Sequence, residues 1–139
     1  MTLKTFKILG VEHIGIAMND NEKIASFLRL LPGLFYTGIE NVDDQMVKTE
    51  IFSTNDAKIE LLNSISKESV IEKYIDKKGN GVHHIALRVD NLENAIKELS
   101  GNGIEFVDQK PRLGAEECMI VFIHPRSTGG ILFELCQRP

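Results

Sequence analysis

The chain has 139 residues, 42% hydrophobic and 26% charged, with 16 basic against 20 acidic side chains and a net charge of −4. That length and composition describe one soluble globular domain with a core of its own. Mild acidity removes any general attraction to nucleic acid or anionic membrane, so an anionic ligand has to meet a local basic cluster.

No apolar run approaches membrane-spanning length, and the polar lead-in Met1 to Lys7 has no signal-peptide core. The expected compartment is the cytoplasm. The two cysteines, Cys118 and Cys136, form no CxxC pattern and fall in expected core strands, where they read as small buried hydrophobes.

In chain order, Ile8 to Ala17 reads as a strand apolar on nearly both faces. Asn19 or Asp20 then caps a helix with Ile24, Phe27, Leu28 and Leu31 on one face, and Pro32-Gly33 stops it. Three shorter strands follow, Leu34 to Ile39, Met46 to Ser53 and Ala57 to Leu62, separated by turns at Asn41 to Asp44 and Thr54 to Asp56. A connector from Ser64 to Gly81 carries Val70, Ile71, Tyr74 and Ile75 at helical spacing over a helix placed at Ser66 to Tyr74. It ends in the basic turn Lys77-Lys78-Gly79-Asn80-Gly81.

The order then repeats. A strand, Val82 to Val89, leads through Asp90 and Asn91 into a helix with Leu92, Ala95, Ile96 and Leu99 on one face, closed by Gly101-Asn102-Gly103. Strands are expected at Ile104 to Val107, Cys118 to His124 and Gly130 to Cys136, with loops at Pro111 to Glu117 and Pro125 to Gly129. The pattern predicts an α+β fold: one domain over 1–139 made of two βαβββ modules, at about 8–63 and 82–137, with the connector at 64–81. Neither half closes its sheet alone, so the two are expected to form a curved, mostly antiparallel sheet around a shared site.

The repeat extends to the chemistry. Glu12-His13-Ile14-Gly15-Ile16-Ala17 returns as His83-His84-Ile85-Ala86-Leu87-Arg88, and Ile59-Glu60-Leu61-Leu62 returns as Phe133-Glu134-Leu135-Cys136. His13 and His84 are 71 residues apart, and Glu60 and Glu134 are 74 apart. A glutamate inside an apolar strand is costly to bury unless a partner compensates it, and a divalent cation held with imidazole does so. One such histidine or glutamate is more often structural than a ligand. Repetition of both types in register is what points to a metal site built from His13, Glu60, His84 and Glu134. His83 should face away from His84, and His124, at a strand end, reads as a surface histidine.

These residues resemble the vicinal oxygen chelate superfamily, and within it the methylmalonyl-CoA epimerase family. The similarity rests on Glu12 to Ala17, Lys58 to Leu62, Gly81 to Asp90, Pro111 to Ala115, and His124-Pro125-Arg126 with Gly129 to Leu135, and it spans Ile8 to Gln137. The resemblance implies metal ligation by His13, Glu60, His84 and Glu134. It implies cobalt as the ion, with manganese, nickel or zinc as alternatives, and methylmalonyl-CoA as the substrate.

It further implies inversion at C2 through an enolate, with Glu134 as one proton carrier. The other falls at Glu50, in Val47 to Phe52, where an outward-facing strand residue is the competing reading. Lys77, Lys78, Lys110, Arg112 and Arg126 are the candidates to meet coenzyme A phosphates. Leu113-Gly114-Ala115 and Thr128-Gly129-Gly130 either offer amides to the acyl group or are ordinary turns. A homodimer is the implied assembly. Rival readings on the same scaffold are a glyoxalase I-like lactoylglutathione lyase, a ring-cleaving dioxygenase using two histidines and one carboxylate, and a metal-free binding protein.

Overall fold

The computed structural model describes residues 4–139, apart from the side chain of Asp44. The start of the expected lead-in, residues 1–3, lies outside the described residues. At its other end, Lys7 donates its amide to Asp90 Oδ1 at 2.9 Å and accepts from the Asp90 amide at 3.2 Å. The chain divides into two compact units, one of His13–His83 and one of the residues up to Glu12 together with His84–Pro139. The strands β1 (Ile8–Ala17) and β5 (Gly81–Val89) each run from one unit into the other. No helix is long and apolar enough to cross a membrane.

The unit His13–His83 holds α1 (Glu22–Arg29), β2 (Phe35–Val42), β3 (Val47–Ser53), β4 (Lys58–Ser64) and α2 (Val70–Lys78). Its strands lie in the order β2-β3-β4-β1. β4 is antiparallel to β3 and parallel to β1. Helix α1 starts where Asp20 Oδ1 accepts from the Glu22 amide at 2.9 Å. It buries Ala25 and Leu28 against Phe52 and Leu61. Burial of each large apolar side chain is worth roughly 1.5–3 kcal/mol.

Phe27, expected on the buried stripe, is 56% exposed, because the stripe runs through Ile24, Ala25 and Leu28 instead. The opposite sheet face is covered by α2, whose Ile71 and Ile75 pack on Ala17, Val47 and Leu62. That helix begins four residues later than expected, because Ser69 caps it by accepting from the Ile71 amide. Lys77 and Lys78 form its last turn rather than a loose loop, where their charge suits the helix C-terminus, and Gly79 closes it at φ 78°.

The other unit holds α3 (Leu92–Gly101), β6 (Arg112–Leu113), β7 (Met119–Ile123) and β8 (Phe133–Gln137), with strand order β5-β8-β7-β6. β5 and β8 are parallel, and the other two pairings are antiparallel. Asn91 caps α3 by accepting from the Asn94 amide at 2.9 Å. Leu92 and Ala95 pack on Val89, Val121, Ile123 and Leu135.

Ile104 to Val107 does not form the expected strand. Only the bridge between Phe106 and Ile123 forms. The place beside β7 is taken by the two-residue β6, inside the expected loop. Left-handed backbone at Glu116 and Glu117 ends the pairing there. In the first unit β2 likewise outruns its expected end, to Val42. A 3-10 turn at Asp43–Gln45 and left-handed Met46 then reverse the chain.

Candidate metal centre

Strand register decides which side chains share a face, because cross-strand partners point the same way and neighbours along a strand alternate. In the unit His13–His83, Gly15 is paired with Glu60, so His13, two residues earlier, lies on the Glu60 face. The contact follows: His13 Nδ1 is 3.2 Å from Glu60 Oε2, both side chains being buried. Leu61 points the other way, into the contact with α1.

The other unit repeats this design with its own residues. Ala86 is paired with Glu134, so His84, two residues earlier, lies on the Glu134 face. His84 Nε2 is 3.5 Å from Glu134 Oε1, again with both groups buried. The Phe122 ring, across from Glu134 on β7, meets the His84 imidazole edge-on at 5.5 Å and holds its orientation.

Each pair suits a divalent cation by its donor set, one imidazole nitrogen and one carboxylate oxygen. Two ligand atoms each about 2.1 Å from one ion stand about 3.0–3.4 Å apart, close to both observed separations. A buried carboxylate is costly without compensating charge, and a cation shared with the imidazole would supply it.

Glu50 does not join the His13–Glu60 pair. It is paired with Leu61 across β3 and β4, whereas Ile51 is paired with Glu60. Glu50 therefore lies on the α1 face, opposite Glu60. Its carboxylate accepts from Asn21 Nδ2 at 3.0 Å and sits 3.6 Å from Arg29 NH2. Asn63 extends this network, donating to Asn21 Oδ1 at 3.0 Å and to the Met18 carbonyl at 2.7 Å. The expectation of Glu50 as a proton carrier beside the metal ligands is corrected on that ground: the residue is a buried brace under α1.

The other singled-out residues are accounted for locally. His83 packs edge-on to Tyr74 at 4.8 Å, and burial, aided by the Lys78 charge, lowers its pKa to about 4. His124 Nδ1 accepts from the Arg126 amide. Arg126 pairs with Glu105 at 2.8 Å, and Lys78 lies 5.8 Å from the centre of the Tyr74 ring. Cys118 and Cys136 form no disulfide and lie in one buried cluster, and burial, the leading cause, pushes the Cys136 thiol pKa far up.

The glycine loops behave as turns. The Gly114 amide donates to the Cys118 carbonyl at 2.8 Å and the Gly130 amide to the Pro125 carbonyl at 2.9 Å, so neither is available to a ligand. Gly114 is needed for space, since a Cβ there would sit 2.9 Å from Ile120 Cγ2.

One group escaped the reading of the sequence. Glu12 is 2% exposed, and its carboxylate is bound by Arg138 Nε at 3.0 Å and NH2 at 2.9 Å, with Arg88 NH1 at 3.4 Å. The available signal was Glu12 itself, an acid within an apolar strand that had to find cations.

Comparison with known proteins agrees with this architecture. The model of the Glyoxalase/Bleomycin resistance protein/Dioxygenase superfamily matches residues 12–122. The chain is 35% identical over 127 residues to "Uncharacterized protein YqjC" of Bacillus subtilis, covering 91% of each chain. It is 31% identical to the methylmalonyl-CoA epimerase of Mycobacterium tuberculosis, with a TM-score of 0.90, covering 99% of this chain and 93% of that one. It is 27% identical to a methylmalonyl-CoA epimerase solved with methylmalonyl-CoA and NH4+, with a TM-score of 0.88 over 95% of this chain and 96% of that one. The chain belongs to the Glyoxalase/Bleomycin resistance protein/Dioxygenase superfamily, on the side of it that holds the methylmalonyl-CoA epimerases.

Proposed function

We propose that this protein is a metal-dependent epimerase that interconverts (R)- and (S)-methylmalonyl-CoA. The observation that carries the reading is the same imidazole–carboxylate pair built twice, by the same register, on the sheet face turned away from α1 at Glu60 and away from α3 at Glu134. The likeness to epimerases supports the choice of substrate.

His13, Glu60, His84 and Glu134 together would hold one divalent cation, cobalt by preference, with manganese, nickel or zinc able to take its place. When bound, that cation supplies Lewis-acid stabilisation of the charge that develops as C2 is deprotonated. The chain's own part is proton transfer and orientation. The Glu134 carboxylate takes the C2 proton, the C–H electron pair passes into the enolate, and return of a proton to the opposite side of C2 completes inversion. Inversion needs a second proton carrier on that opposite side, and Glu50 is not it. His84, held by Phe122, keeps Glu134 in place between transfers. A homodimer in the cytoplasm, serving propionate metabolism, completes the reading.

The test is a deuterium wash-in assay on methylmalonyl-CoA with cobalt-loaded enzyme. Exchange at C2 with interconversion of the two epimers is expected, and both should disappear on chelation and return with cobalt. Turnover of a glutathione hemithioacetal without C2 exchange would move the assignment to a lactoylglutathione lyase. A chain that holds no divalent ion and gains nothing from reconstitution would be a binding protein.

A further inference from the structure

The geometry points to Arg112 as the residue that receives anionic oxygens of the acyl thioester, an inference that rests on the proposed substrate. Arg112 is paired with Ile120 on β7, Ile120 with Cys136, and Phe122 with Glu134. These side chains therefore share the sheet face of the His84–Glu134 pair. The Arg112 guanidinium stacks over the Phe122 ring at 5.7 Å, and the same ring meets His84 in a T-shaped contact at 5.5 Å. Arg112 thus stands one aromatic ring away from a proposed ligand, on the same face.

The donors of Arg112 are mostly unspent. Its one ion pair, NH1 to Asp108 Oδ1, is 3.6 Å long, beyond a good charge-assisted hydrogen bond. Its Nε and the second oxygen of Asp108 are buried without a hydrogen-bond partner among the described residues. Its side chain is nevertheless 37% exposed, so part of it is within reach of a ligand.

The other arginines of this unit are committed. Arg88 and Arg138 hold Glu12, and Arg126 holds Glu105. A planar guanidinium fixed on an aromatic face, with an NH2 group to spare, suits bidentate recognition of a carboxylate or a phosphate. Methylmalonyl-CoA carries both, on opposite arms.

The test measures the dissociation constant of methylmalonyl-CoA by calorimetry, for the wild type and for Arg112→Gln, each with metal. It repeats the measurement with the phosphate-free thioester methylmalonyl-pantetheine, and turnover is assayed separately. Arg112→Gln should weaken binding of methylmalonyl-CoA about ten- to a hundredfold. The same loss with the pantetheine thioester assigns the arginine to the malonyl carboxylate, and loss confined to methylmalonyl-CoA assigns it to a phosphate. Arg112→Lys keeps the stem over Phe122 and should lose less, and it replaces the glutamine variant if that one unfolds.

Affinities within twofold of wild type in the folded variants, or no binding of either thioester by the wild type, would overturn the inference. Wild-type binding without turnover, with the loss on substitution still present, would retain Arg112 as the receptor and remove the epimerase reading instead.

Discussion

The two units solve one problem with the same register and different surroundings. In each, a histidine sits two residues before the strand partner of a buried glutamate, across a parallel pairing. Beyond that the units part. The antiparallel neighbour of Glu60 is the aliphatic Ile51, whereas that of Glu134 is Phe122, which also braces His84 and carries Arg112. In the first unit the charged neighbours lie behind the sheet, where Glu50, Asn21, Asn63 and Arg29 tie α1 down. In the proposed epimerase this difference separates the work: His13 and Glu60 would hold the cation, and the second pair would hold it and move a proton.

The largest expected effect comes from Glu134→Gln, which keeps the shape and removes the base. Epimerisation should fall roughly 10²–10⁴-fold while circular dichroism and melting stay near wild type. Wild-type-like turnover would end the proton-transfer role of that unit.

Next come His13→Ala and His84→Ala, each of which should cost at least about a hundredfold in cobalt affinity, read by metal titration. An unchanged affinity in one of them would show that only the other unit ligates.

Phe122→Leu sharpens the contrast further, because the antiparallel partner of Glu60 is the aliphatic Ile51. Metal affinity should drop about tenfold with the ligands intact, through loss of imidazole orientation. Ile51→Leu, the matching change beside Glu60, should leave it unmoved.

The smallest effect is expected at Glu50. Glu50→Gln should alter kcat by less than about threefold and lower stability by roughly 0.5–1 kcal/mol in a denaturant melt. A drop in C2 exchange comparable to that of Glu134→Gln would return Glu50 to the mechanism.

Much of this could be read from the chain, for physical reasons that apply residue by residue. Period-2 and period-3.6 patterns are local, so the long strands and α3, with its stripe of Leu92 and Ala95, fall where their apolar spacing puts them. The duplicated His13 and His84, and Glu60 and Glu134, stand out because a buried charge is too costly to recur by accident.

Register between strands is a different matter. Alternation says that Glu50 and Ile51 point oppositely, yet which of them shares a face with Glu60 depends on the turn joining β3 to β4. There Thr54 closes the hairpin, its amide donating to the Ala57 carbonyl at 2.8 Å. A one-residue slip in that turn would put Glu50 beside the His13–Glu60 pair and Ile51 under the helix. The short β6 has the same origin: pairing of Arg112 with Ile120 depends on the left-handed residues that follow and on the room left by Gly114, not on strand propensity.

By itself, then, the amino-acid order determined the long strands, helix α3 and the duplicated order, and singled out the four proposed ligands, since those follow from local periodicity and the cost of burying charge. Only the tertiary structure decided that Glu50 lies behind the sheet, that Glu12 is caged by Arg88 and Arg138, and that Arg112 shares the face of Glu134. Each of those depends on which strand lies next to which and in what register, and side chains distant in sequence meet only once that pairing is set.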